Sequence, residues 1–535
     1  PLTDEWWRMR SDGWFHISVV AQISDYGVPP EDPYFYGIPL QYMWFYHVLV
    51  LIVSRATGIT PPFVMALFNM QALAGFILAT FLLSQLLKNR FSHSVSSVLT
   101  GILGINALFW LFLPVKLLRA FVGEDTGMEV VYRILSLSPL DNLTVRKFLV
   151  IYNNQYFFLN KFFVMTAFSL ALSFMAACWY GMASGLAGKR AFPIVLTFFT
   201  AVGMVAFHPI VGFISLAGLG GGIVLFCLSR SQLSMSARRT SLKLIVTLVA
   251  SVAVLSPYLY LIMHDKESSQ LFPIGVSFQQ IAGLVIACAL GILLAAFQVK
   301  KLLSQQNPEA RFFALATFSV IVVCLIIHLP GPNTIDKPAF FMFFPLAIAG
   351  GWTLAELPQR NITLFKSKFG VVLIFVVLFL PVNLIAMLGN FATPTKNMLT
   401  MEEAQLARWA QANTSRDAVF IDSEDRVFLL VAGPRRYFYG FEPYATQWGY
   451  DKGEMTGRKR VIDNIYSSKP LEQSTLAALC EIDPDVYIIV RGRDKSNAGV
   501  DKFYHIPDAF TEVYSAGSIS VLKINKETFR NVSGD

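Results

Sequence analysis

The sequence is poor in charge and in cysteine. Only 15% of its 535 residues are Asp, Glu, Lys or Arg, too few for a solvated disordered chain or a coiled coil, and no collagen-like repeat is present. Of the five cysteines, Cys178, Cys227, Cys288 and Cys324 fall in apolar runs and Cys480 in polar sequence. That distribution excludes a disulfide framework and a CxxC metal site. Signatures of phosphate-binding and hydrolytic chemistry are also missing: there is no GxxxxGK[ST], no GxGxxG between a strand and a helix, and no GxSxG. The opening residues, PLTDEWWRMR, lack the apolar core of a signal peptide, and the expectation is of a chain entered after a first helix.

What is abundant is apolar surface. Hydrophobic residues make up 54% of the chain and aromatic residues 14%, more than a water-soluble fold of this length can bury. The expected class is therefore a polytopic α-helical membrane protein. The net charge of +8 does not point to nucleic acid, because excess Lys and Arg in such proteins collect in cytoplasmic loops and set orientation. Apolar runs long enough to span lie near 62–87, 94–115, 156–183, 192–207, 209–229, 242–263, 279–298, 312–329, 338–355 and 369–391. This gives roughly ten expected spans.

Loop charge bears on the doubtful pair around His208-Pro209. Counting 192–207 and 209–229 separately gathers Lys88, Arg90, Lys189, Arg190, Arg230, Arg238, Arg239, Lys243, Lys300, Lys301, Arg311, Arg360, Lys366 and Lys368 on one side, against Glu309 and Glu356. The opposite loops, 116–152, 264–270 and 330–338, hold seven basic and seven acidic residues. Residues 1–60 and everything after about 392 then share the extracytoplasmic side. The expected parts are a first outer loop with membrane-surface helices (1–60), a helical bundle (61–391) and an extracytoplasmic α/β domain (392–535).

In the first part, Trp14, Ile17, Val20, Ala21 and Ile23 recur near helical spacing before VPPEDP breaks the pattern. Tyr42 to Val53 is apolar but too short to cross. In the last part, Met401–Ala412, Arg458–Tyr466 and Leu471–Cys480 read as helices and Ala418–Ile421 and Val486–Val490 as strands. Thr511–Tyr514 and Ser518–Ile524 flank an Ala-Gly turn and read as a hairpin. The cluster Gly218-Leu-Gly-Gly-Gly222 lies inside an apolar run, where close helix packing is its ordinary role.

Ionisable residues crowd the first part: Asp4, Glu5, Asp12, His16, Asp25, Glu31, Asp32 and His47. Asp12 and His16 are four apart and share a helical face, which suits either a metal pair or a carboxylate beside an imidazole; a solvated surface helix is the plain alternative. Asp12, His16, Asp32 and His47 offer an oxygen and nitrogen set for a divalent ion such as Mg or Mn.

The run Ser11-Asp12-Gly13-Trp14-Phe15-His16, followed by Gly27 to His47 (GVPPEDPYFYGIPLQYMWFYH), resembles the first outer loop of bacterial glycosyltransferases of the GT-C superfamily. Asn160-Lys161-Phe162-Phe163, His208-Pro209 and Asp336-Lys337 before Pro345-Leu346-Ala347 are similar to later pieces of that family. The resemblance implies transfer of a sugar from a polyprenyl-phosphate-linked donor to a lipid, glycan or protein acceptor at the outer face of a bacterial cell-envelope membrane. It implies Asp12 as the catalytic carboxylate, with the adjacent pair Asp4 and Glu5 as the alternative. Lys337 and Lys161 are the expected contacts to donor phosphate, with Arg146 and Lys147 behind them; Asn154 and His208 are expected to line the cleft. Two other classes remain open in the sequence: a transporter or flippase of a lipid-linked or small solute, and a non-catalytic scaffold subunit of an envelope complex. No internal repeat of the transporter kind is visible, and the ionisable residues gather at the outer rim instead.

Overall fold

In the computed structural model, described residues are 11–105, 166–188, 191–229, 234–263, 278–305, 307–327, 336–357, 400–424, 434–492, 500–504 and 508–528, with a few single positions between them. The chain forms two compact units, one of residues 1–64, 261–268 and 395–535, the other of residues 65–260 and 269–394. The first sixty residues and the C-terminal residues thus belong to the same unit.

The helical unit follows the apolar runs. It contains α3 (Pro61–Lys88, whose first residues belong to the other unit), α4 (Phe91–Leu103), α5 (Phe168–Ala187), α6 (Phe192–Phe207), α7 (Pro209–Leu228), α8 (Met235–Val254) and α9 (Ser256–Met263, bent 50° from α8, its last residues in the other unit). It continues with α10 (Phe278–Ser304), α11 (Pro308–Ile326) and α12 (Asp336–Glu356). Among the described residues six helices are long and apolar enough to cross a membrane, or seven if the bent pair is one span. The later part of the 94–115 run and most of 369–391 lie outside the described residues.

His208 ends α6 and begins α7, in extended backbone conformation (φ −152°), with Pro209 in the first turn where its missing N–H costs nothing. A Cβ on Gly212 would collide with Val205. In one continuous helix those residues would be about 10 Å apart along the axis, so the chain turns back at His208 rather than kinking. The glycine cluster serves packing as its setting suggests: Gly218, Gly221 and Gly222 lie against Val320, Ser319 and Ala316 of α11, with no room for a side chain.

In the other unit, α1 (Ser11–Tyr26) and α2 (Phe45–Thr57) precede a mixed sheet domain. That domain runs α13 (Met401–Asn413), β1 (Val419–Ile421), β2 (Arg436–Tyr437), α14 (Glu442–Trp448), α15 (Lys452–Tyr466), α16 (Gln473–Glu481), β3 (Val486–Val490), α17 (Asp501–Tyr504), β4 (Phe510–Ala516) and β5 (Ile519–Ile524). The strand order is β2-β1-β3-β5-β4; β1 is parallel to β2 and β3, and β5 is antiparallel to β3 and β4. The expected helices, strands and Ala516-Gly517 hairpin are present, and β2, α14 and α17 are additions. Thr400 and Glu403 form a reciprocal capping box that starts α13. Helix α1 departs from its pattern: residues 13–20 are buried on every side, including His16 and Ser18, so no solvated face exists there.

Candidate functional site

The segment between α1 and α2 is held by its own backbone. Gly27 (φ +90°) and Gly37 (φ +76°) turn in the left-handed region that other residues avoid. Between them the N–H of Asp32 donates to the Ile38 carbonyl at 2.8 Å, and that of Leu40 to the Pro30 carbonyl at 3.0 Å. The Tyr34 N–H donates to Asp32 Oδ1 at 2.7 Å, a local carboxylate turn. This compact loop presents Tyr34 and Tyr42 to one aromatic cluster with Phe15 of α1 and Tyr444 and Trp448 of α14; Phe15 lies 4.9–5.9 Å from each of the other rings.

Beside Phe15, His16 of α1 meets His47 of α2. Their rings stack at 5.0 Å, and His16 Nδ1 lies 2.8 Å from His47 Nε2, one imidazole donating and the other accepting. Both rings are buried. Burial and the adjacent His16 hold His47 well below the ordinary histidine range, so it is neutral at physiological pH. A hydrogen-bonded imidazole pair fixes ring orientation and can pass a proton.

Asp32 is a second buried titratable group. Tyr450 donates its hydroxyl to Oδ2 at 2.5 Å, and the Gln41 N–H donates to that same hydroxyl at 3.4 Å. Burial pushes the Asp32 carboxyl up to about 7, against the pull of Tyr450, the Tyr34 N–H and the Arg458 charge. Carboxyls poised near neutrality suit proton transfer, yet this one also ties the first loop to the sheet domain. Further ties surround it. The Tyr36 N–H donates to the Tyr437 carbonyl at 2.7 Å, and Arg458 donates to the carbonyls of Tyr36 and Phe438 at 2.8 and 2.9 Å. Arg436 stacks over Tyr26 at 3.9 Å, and a Cβ on Gly440 would collide with the Tyr34 ring.

A denser ionic group lies deeper in the sheet domain. Arg491 donates to both oxygens of Asp422 at 2.9 and 2.7 Å and to Glu403 at 2.9 Å. Burial opposes the Arg491 charge, but the bound Asp422, Glu424 and Glu403 hold its pKa above the ordinary value. These groups are committed to one another at the ends of β1 and β3, and their chemistry is structural.

The structure brings together His16 and His47, and separately Asp32 and Tyr450. Among the described residues the expected metal set is not seen: the histidines bond to each other, Asp32 accepts from Tyr450, and no three metal-binding side chains converge, while the Asp12 side chain lies outside the described residues. Asp12 lies in the first turn of α1, one turn before His16. Lys337 is the second residue of α12 and is partly exposed. His208 is buried; its Nδ1 accepts from the Val211 N–H at 3.3 Å and its ring meets Phe168 edge-on, so it caps α7. Asp4, Glu5, Arg146, Lys147, Asn154 and Lys161 lie outside the described residues. Tyr450 and Arg458 were invisible from the sequence, which shows an aromatic Trp448-Gly-Tyr450 cluster in polar surroundings but no link to residues some 420 positions earlier.

No family model matches the sequence, and no curated protein matches it. Solved structures do. The apo crystal structure of ArnT from Cupriavidus metallidurans superposes with a TM-score of 0.55 at 11% identity, over 97% of this chain and 95% of that one. The chain shares the fold of that ArnT structure. The same ArnT bound to undecaprenyl phosphate matches with a TM-score of 0.49 at 13% identity, over 97% and 95%. The archaeal oligosaccharyltransferase AglB from Archaeoglobus fulgidus, in complex with an inhibitory peptide and a dolichol-phosphate, matches with a TM-score of 0.40 at 11% identity, over 96% and 70%. The shared fold agrees with a mostly helical, polytopic membrane protein carrying a C-terminal sheet domain.

Proposed function

We propose that this protein is a glycosyltransferase that moves a sugar from a polyprenyl-phosphate-linked donor to an acceptor hydroxyl or amine at the outer face of the membrane. The observation that carries this reading is the GT-C fold shared with ArnT over nearly the whole of both chains. The lipid-phosphate donor is supported by the undecaprenyl phosphate bound in that neighbour.

The chemistry assigned to the residues is a direct displacement. The acceptor heteroatom attacks the anomeric carbon, the bond from that carbon to the phosphate oxygen breaks, and polyprenyl phosphate departs. Asp12 takes the acceptor proton as the bond forms, because a neutral hydroxyl is a weak nucleophile. Asp4 or Glu5 is the alternative base. His16, one turn after Asp12 and fixed by His47, is a positioning residue for that carboxylate. Lys337 and Lys161 stabilise the departing phosphate charge, with Asn154 and His208 lining the cleft. Asp32 has a supporting role through its hold on the loop. The substitution at the anomeric carbon inverts its configuration, since one displacement needs no protein nucleophile.

Transfer of radiolabelled sugar from a polyprenyl-phosphate donor by the purified full chain tests the reading. Asp12→Asn is expected to reduce turnover by roughly 10²-fold or more. Undiminished transfer by that variant would remove Asp12 from the mechanism, and no transfer by the unaltered protein from any such donor would remove the function.

A further inference from the structure

One end of the helical unit carries a cationic cluster that sugar transfer does not use. Lys88 ends α3, Arg90 is the N-cap of α4, His93 lies in the first turn of α4, Lys301 is near the end of α10, and Glu356 ends α12. Glu356 accepts from Lys301 Nζ at 2.7 Å and from Gln298 Nε2 at 3.1 Å, and lies 3.5 Å from His93 Nε2. Lys88 sits 5.0 Å from the centre of the buried Trp352 ring, whose N–H donates to Ser84 at 2.8 Å.

The charges around Lys88 do not balance. Glu356, Lys301 and Arg90 act on it, so Lys88 stands among two further cations and one carboxylate, and that carboxylate already accepts from Lys301 and Gln298. Two positive charges are left to repel each other at the ends of long apolar helices, the depth of lipid headgroups. Exposed apolar side chains continue along the same helices, with Phe91 next to Arg90 and Phe297 and Leu293 on the turns before Lys301. Lysines at helix ends often only fix orientation, and that role requires no particular headgroup. A cation pair beside an indole, bordered by apolar surface, matches a phosphate with acyl chains attached.

We propose that Lys88 and Arg90 hold the phosphate of an anionic bilayer phospholipid at this end of the bundle, as a binding site separate from the transferase site. Glu356 and Lys301 frame the site and keep α10 and α12 together beneath the headgroup. The proposal does not depend on the transferase reading.

Purified full-length protein equilibrated with equal amounts of phosphatidylglycerol and phosphatidylcholine, and read by native mass spectrometry, tests it. An excess of bound phosphatidylglycerol is expected, reduced about fivefold by Arg90→Gln and again by Lys88→Gln. Arg239→Gln, which removes an exposed cation of α8, is expected to leave the excess unchanged. Arg90 makes no bond to Glu356 among the described contacts, so its variant reports on the site even if Lys88→Gln fails to fold. No preference in the unaltered protein, or an equal loss in Arg239→Gln, would overturn the site. Displacement of the lipid by an equal concentration of inorganic phosphate would overturn its assignment to a lipid.

Discussion

The two units are held together by different chemistry. In the helical unit, backbones approach where side chains are absent, as at Gly222 against Ala316, and the contacts are apolar and close. In the unit built from both ends of the chain, position is set by bonds between polar groups far apart in sequence, as at Asp32 and Tyr450 or Arg436 and Tyr26. A region packed by volume should respond to added or lost atoms, and one tied by polar bonds to charge and pH.

Three substitutions sharpen that contrast. Arg491→Met leaves Asp422 and Glu403 buried without their cation and is expected to destabilise the sheet domain by about 3–5 kcal/mol. Hydrogen exchange would report it as lost protection in β1 and β3, with α7 and α11 unchanged. Gly222→Ala forces a methyl group into the backbone of α11 and is expected to cost about 1–3 kcal/mol. The same measurement should then place the loss in α7 and α11; a larger loss in the sheet domain would break the comparison. Tyr450→Phe removes the donor to a buried carboxylate and is expected to cost about 1–3 kcal/mol, with the loss concentrated above neutral pH, where Asp32 is charged.

The sign of that pH dependence follows from burial. Asp32 titrates near 7 in the folded protein and near 3.8 when exposed, so between those values the folded state holds a proton that the unfolded state has released. The contribution of Asp32 is therefore most favourable below 3.8, and it is lost as pH rises through about 7. Thermal unfolding followed from pH 5 to pH 8 should show a decline in the unaltered protein that Asp32→Asn flattens.

The same contrast explains what the sequence could reveal. The helices α3, α7, α10, α11 and α12 were legible because an apolar run of span length has few alternatives to a helix. The break at His208 was legible through loop charge, and the hairpin through its Ala516-Gly517 turn. The pairing of His16 with His47 was not, since their separation of 31 residues carries no periodic signal. Nor was the burial of α1: its alternation of Asp12, His16 and Asp25 with apolar residues reads as a half-solvated helix, and tertiary packing overrides that pattern. Asp32 was singled out for its charge, but its partner Tyr450 lies 418 residues away, and only the folded chain joins them.

The proposed mechanism rests on Asp12 as the base that takes the acceptor proton. A cryo-electron microscopy map of the protein in a lipid nanodisc with a non-hydrolysable polyprenyl-phosphate sugar tests it directly. The account predicts the anomeric carbon facing the Asp12 carboxylate. A donor whose anomeric carbon is seated away from Asp12 would contradict it.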